Sequence, residues 1–134
     1  MKQTAIFNEK TLGSVHGPYV QGTKYRDLFF TTQIATYPDG TKPETDDMAP
    51  NDYYEQTKRC LENAALAAAE VGSTLEDCLT CRIFILDYNM YSEVNRAYKE
   101  IMPNAPFPTR ACIQVSRMLP NVLVEMEFIF KCEE

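Results

Sequence analysis

The sequence holds a single histidine, His16, and no segment near the roughly 18 apolar residues in a row that a membrane-spanning helix needs. One histidine makes a multi-histidine metal site impossible within one chain. The opening stretch "MKQTAIFNEKTLGSVHG" carries no apolar core of signal-peptide length, so the cytoplasm is the expected compartment and no membrane partner is expected. Positive charge is also scarce. With 13 Lys and Arg against 19 Asp and Glu, the net charge is −6, and no basic run interrupts it. Such a field repels polyanions and counts against a nucleic-acid partner. The five cysteines are an odd number without the density of a secreted disulfide scaffold, so reduced thiols and no structural disulfide are expected. No internal repeat or low-complexity tract is present.

What is present is an ordinary globular composition. The 134 residues, 45% hydrophobic and 24% charged, suit one domain spanning 1–134 with a real core. "TAIF" and "DLFFTTQI" read as strands, and "VHGPYVQGTKYRD" between them reads as turn chemistry. After the acidic loop "TYPDGTKPETDDMAP", Asn51 or Asp52 is placed to cap a helix with Thr57, Leu61, Ala64, Ala68 and Val71 on one face, closed by Gly72. Its small alanine face suits close packing on a sheet. "CLTCRIFILD" reads as a strand apolar on both faces. A second helix is predicted from about Ser92 to Ile101, stopped by Pro103. With two further strands, the order predicts an α+β fold: a mixed, mainly antiparallel sheet with two helices packed on one face.

Those last two strands hold the chemistry-bearing residues. Along "TRACIQV", Arg110, Cys112 and Gln114 share one face. Along "VLVEMEFIF", Glu125 and Glu127 share the face opposite Val124, Met126 and Phe128. If "SRMLPN" closes a hairpin, matching the apolar faces puts Arg110 opposite Glu127 and Cys112 opposite Glu125. Parity leaves two readings open: a cross-strand ion pair worth about 0.2–1 kcal/mol, or a guanidinium that forks onto a small carboxylate. The apolar residues sharing that second face predict an oligomer that covers it. Cys78 and Cys81 have CxxC spacing, but strand alternation sends residues three apart to opposite faces, so buried packing is expected rather than a shared metal or disulfide.

Taken together, "GPYVQG", "QTKRCLENA", "VNRAY", "PTRACIQVSRMLP" and "VLVEMEF" resemble, in order, the motifs of the RidA (YjgF, endoribonuclease L-PSP) family of reactive-intermediate deaminases. The resemblance implies a chorismate-mutase-like fold and a homotrimer with a site at each subunit interface. It implies hydrolysis of 2-enamine or 2-imine acids, such as 2-aminoacrylate or 2-iminopropanoate, to 2-oxo acids and ammonia, with no cofactor and no metal. By the same resemblance Arg110 clamps the substrate carboxylate, Cys112 lines the pocket, and Glu125 is the carboxylate associated with the hydrolytic water. Tyr19 matches the tyrosine of the glycine-proline loop, and Asn95 the asparagine of the second helix. Two positions depart from the pattern. "FFTTQI" has Thr31 and Thr32 where the family has Ser-Gly: Thr31 keeps a hydroxyl, and the β-branched Thr32 points to a narrower pocket and an altered substrate range. The loop at 41–52 is longer and more acidic than usual. The family's older name suggests a rival function, an endoribonuclease or translation inhibitor, and a noncatalytic ligand-binding or chaperone-like trimer is a third. His16 is expected to be a surface turn residue rather than a catalyst.

Overall fold

The computed structural model describes residues 3–6, 12, 15, 17–37, 49, 51–104 and 106–134. His16 and most of the 41–52 loop lie outside them. The strands are β1 (Thr4–Ile6), β2 (Gly22–Tyr25), β3 (Leu28–Ile34), β4 (Cys78–Ile85), β5 (Thr109–Gln114) and β6 (Val124–Lys131). The helices are α1 (Tyr53–Ala69) and α2 (Tyr91–Ile101). One sheet runs in the order β1-β2-β3-β6-β4-β5, with every pair antiparallel except β4 and β5. This is the mixed, mainly antiparallel α+β architecture that the element order predicts.

The helices follow from local chemistry. Asp52 caps α1, its carboxylate accepting from Glu55 N–H at 2.9 Å. Beyond the other end Gly72 takes φ +75°, a left-handed turn that a side chain would resist. Leu61, Ala64, Ala67 and Ala68 are fully buried, and the short alanine side chains let α1 lie close on Phe29, Val124, Met126 and Phe128 of the sheet. Leu61→Ala would open a cavity there at a cost of about 2–5 kcal/mol.

Three expectations are corrected. First, β5 and β6 form no hairpin, because β4 lies between them. Arg110 stands beside Cys81 and Cys112 beside Ile83, whereas Glu125 and Glu127 pair with Phe84 and Arg82 of β4. The physical reason is burial. β6 presents Val124, Met126, Phe128 and Phe130, all buried, and takes a central position; the more polar β5 takes the edge. A parallel β4–β5 pair needs a crossover, which α2 supplies. Arg110, Cys112 and Gln114 therefore share the helix-covered face with Cys81, Ile83 and Ile85, and Glu125 and Glu127 point from the other face. The two sets do not share a surface.

Second, the turn segment contains a strand. β2 pairs with β3 from Gly22 opposite Thr31 to Tyr25 opposite Leu28, around a two-residue turn in which Arg26 has φ +55°. A side chain at Gly22 would begin 2.4 Å from the Phe29 ring, so only glycine fits that approach. Third, a bulge between Cys78 and Thr80 resets the alternation, placing Cys78 beside Phe130 and Cys81 beside Phe128 on the same buried side. Both thiols are nevertheless free and buried, as are Cys60 and Cys132. Desolvation pushes the Cys78 thiol up to about 11.

The sheet face away from the helices is apolar but only partly covered within one chain. Phe30 and Ile113 are 39% and 50% exposed, with Phe84 and Ile129 half-buried between them.

Candidate active site

The sequence-predicted residues fall into two half-sites. The first is at the β5 edge. The spacing Tyr91, Asn95, Tyr98 puts three side chains on one face of α2, and the crossover lays that face over Arg110. The guanidinium donates through Nη1 to Asn95 Oδ1 at 3.0 Å and through Nη2 to the Tyr91 hydroxyl. It also stacks over the Tyr98 ring at 4.7 Å and the Tyr91 ring at 5.5 Å. Tyr88 stacks on Tyr91 with centroids 5.3 Å apart. Among the described residues, these two hydrogen bonds engage two of the five guanidinium N–H groups. Cys112, two residues along the same face, is half-buried. Desolvation raises its thiol and the nearby Arg110 charge partly opposes that, so the sulfur is held as a thiol.

The second half-site lies on the open face. Tyr19, Val20, Phe30, Thr32, Leu119 and Glu125 are among the residues around a cavity of about 540 Å³. Glu125 stands between Ile34 of β3 and Phe84 of β4 in register. Those apolar neighbours desolvate it and Glu127, two residues on, repels it, so its carboxyl titrates above the usual carboxylate range. Glu127 itself sits between Thr32 and Arg82 and pairs with Arg82 at 3.4 Å. Tyr19 is 54% exposed at the rim, its backbone N–H bound to the Gly17 carbonyl at 2.9 Å.

Thr31 and Thr32 separate by parity. The Thr31 hydroxyl is buried, donating to the Gln21 carbonyl at 2.6 Å and accepting from Gln33 Nε2 at 2.8 Å. It ties the Tyr19 loop to β3. The side chain on the Glu127 row is Thr32, which is exposed. Within one chain the structure thus groups Arg110, Asn95 and Cys112 on one face, and Tyr19 and Glu125 around the other; Thr31, expected to bind substrate, instead turns its hydroxyl into the protein beside the Glu125 face. Tyr91 and Tyr98 are contacts that sequence reading missed; their seven-residue spacing about Asn95, on a helix between two strands, was the available signal. Among the described residues no cluster of His, Cys, Asp and Glu is arranged to hold a metal ion. No helix among them is long and apolar enough to cross a membrane.

Known proteins resemble this chain along most of its length. The family model "Endoribonuclease L-PSP" matches residues 10–132. A RutC family protein of Pyrococcus abyssi is 34% identical over 96% of this chain and 97% of its own length. The 2-iminobutanoate/2-iminopropanoate deaminase of Escherichia coli is 31% identical over 84% of this chain and 86% of its own. The crystal structure of E. coli TdcF with bound serine superposes with a TM-score of 0.80 at 30% identity, covering 96% of this chain and 98% of that one. By fold and by sequence over these lengths, the chain belongs to the RidA (YjgF, endoribonuclease L-PSP) family.

Proposed function

We propose that the chain is a cytoplasmic hydrolase that deaminates small 2-enamine or 2-imine acids, working as a homotrimer whose sites form between protomers. The single observation that carries this reading is the separation of two complementary half-sites on opposite faces of one sheet. A preorganised guanidinium sits on an open edge strand, and a carboxyl with a raised pKa sits over a partly exposed apolar face. A second copy that laid its β5 edge against that face would cover the apolar residues and bring cation and carboxylate to one crevice. The family relation to a 2-iminobutanoate/2-iminopropanoate deaminase supplies the reaction class. The serine bound to TdcF, a small molecule with a carboxylate and an amino nitrogen, fits the same chemistry.

In that crevice Arg110 would take the substrate carboxylate on its free N–H groups, while Asn95 and Tyr91 hold the guanidinium plane. Positioning of this kind lowers the entropic part of the barrier. Glu125 would accept a proton from water as its oxygen bonds to C2 and return that proton to nitrogen as the C=N bond becomes C–N. From the resulting carbinolamine it would take the hydroxyl proton and pass it to nitrogen as the C–N bond breaks, giving the 2-oxo acid and ammonia. A raised pKa suits a carboxyl that both takes and returns a proton. Cys112 would line the pocket as a thiol, Tyr19 would close it from the rim, and Thr31 would hold the loop that carries Tyr19. The imine carbon is already electrophilic, so this route needs no cofactor. An endoribonuclease reading has less support, since the cavity presents two carboxylates and the net charge is −6.

The test measures ammonia or 2-oxo acid release from imines generated in situ, for wild type, Arg110→Ala and Glu125→Gln. Both variants should lose on the order of 10²-fold or more in kcat/KM. Equal rates in all three would remove the deaminase mechanism.

A further inference from the structure

The reaction leaves unused a row of polar side chains that α1 turns into the core. Gln56, Cys60 and Asn63 recur at i, i+4 and i+7, a single stripe, and are exposed by only 0%, 0% and 1%. Buried amides need their partners met, and these meet them chiefly at the C-terminal end of β3 and in the segment leading into β6. Gln56 Oε1 accepts from Leu123 N–H at 2.8 Å, and Nε2 donates to the Asn121 carbonyl at 2.8 Å and at longer range to that of Ala49, 3.5 Å away. The Cys60 thiol points at the carbonyls of Gln33 and Val124, at 3.7 and 3.8 Å. Asn63 Nδ2 donates to the carbonyls of Ile34 at 3.2 Å and Thr36 at 2.7 Å. Apart from Ala49, these groups lie at or just past the end of β3 and at or just before the start of β6, where Ile34 stands opposite Glu125.

We infer that Gln56, at the head of this stripe, is a positioning residue for Glu125; the inference rests on Glu125 being the water-holding carboxylate. Its carboxamide meets the C=O of residue 121 and the N–H of residue 123, as a residue of a neighbouring parallel strand would. It thereby pins the turn that leads into β6 at Asn121, a non-glycine residue at φ +66°. With Leu123 fixed, alternation sends Val124 into the core and Glu125 to the open face. A one-residue slip would exchange them. No contact between Gln56 and substrate is involved, and the Arg110 half-site on the edge strand β5 is untouched.

The deaminase assay distinguishes this from a merely structural role. Gln56→Met removes the bonds to Leu123 and Asn121, with the longer one to Ala49, and should lower kcat by about 10–100-fold while KM stays within about threefold, because misplacement by about an ångström acts on the reacting step. Gln56→Glu is the conservative variant. While protonated, the introduced carboxyl has one donor and one acceptor and reproduces both bonds; once ionised it loses the donor to Asn121. Its kcat relative to wild type should therefore approach one at the acid end and fall as pH rises, whereas the Gln56→Met ratio stays flat. Wild-type kcat in folded Gln56→Met, parallel profiles for the two variants, or failure of both to fold at any pH would overturn the inference. If Glu125→Gln matches wild type, the deaminase reading has failed; if Glu125→Gln is inactive and the Gln56 variants are not, this inference alone has.

Discussion

Arg110 and Glu125 are treated in opposite ways by the same sheet. The guanidinium is held in place in advance, with two hydrogen bonds and two ring faces from α2 fixing its plane. The carboxyl receives the reverse treatment: Ile34 and Phe84 flank it in register, and Glu127 repels it from two residues away. On the proposed reading the cation holds the substrate still and the carboxylate moves the proton, its raised pKa coming at a cost to stability. Because they point from opposite faces, neither serves the other within one protomer.

Subunit mixing breaks or establishes that separation most sharply. Arg110→Ala and Glu125→Gln are each expected to be nearly inactive. Co-refolded in equal amounts, they should recover about a quarter of wild-type activity, since a random pairing joins an intact Arg110 edge to an intact Glu125 face about one time in four. A site contained in one chain would recover nothing. In that case Arg82, the cation already beside Glu127 on the carboxylate face, becomes the residue to test.

The next effect concerns stability. A carboxyl whose folded pKa is raised binds its proton more tightly when folded, so stability falls as pH rises from the ordinary value of 4.5 through the raised folded value. The penalty is absent below that window and complete above it. Glu125→Gln should therefore raise Tm at pH 7, and the gain should vanish by about pH 4. A variant that is inactive yet no more stable at neutral pH would mean that the carboxylate is better served by its surroundings than its apolar neighbours indicate.

A smaller effect is expected at Tyr91. Tyr91→Phe keeps the ring under the guanidinium and removes only the hydroxyl that accepts from Nη2. KM should rise about 3–10-fold with little change in kcat, the scale of one partly exposed hydrogen bond to a charge. A kcat loss without a KM change would place Arg110 in the reacting step rather than in substrate holding.

The two half-sites also differ in how legible they were. α1 was readable from Asp52 to Gly72 because a cap, a 3.6-residue period and a left-handed stop all agree locally. The identities of Arg110, Glu125 and Tyr19 came from motif resemblance, which needs no geometry. Their faces did not come through, because alternation says which residues share a side of one strand and says nothing about which strand lies next to it. Choosing a hairpin for β5 and β6 put Arg110 with Glu127. The alternative signal was the strand–helix–strand order of β4, α2 and β5, which calls for a parallel crossover. The bulge after Cys78 was invisible for a related reason: one extra residue reverses the parity of everything before it.

Cys112 provides the smallest predicted effect and the finest contrast between the half-sites. It shares the strand face of Arg110, and a cation is the usual means of lowering a thiol pKa and creating a nucleophile. Here desolvation outweighs that cation, and the sulfur stays protonated. Cys112→Ser should accordingly change kcat/KM by no more than about threefold, as expected for a small wall residue exchanged for one of similar volume. Alkylation of the wild-type thiol, in contrast, should block turnover by filling the space beside the guanidinium, and bound 2-oxo acid should slow that alkylation. Loss of activity in Cys112→Ser comparable to that in Arg110→Ala would show a thiolate at work, and the division into a holding half and a reacting half would then have to be redrawn with both functions on β5.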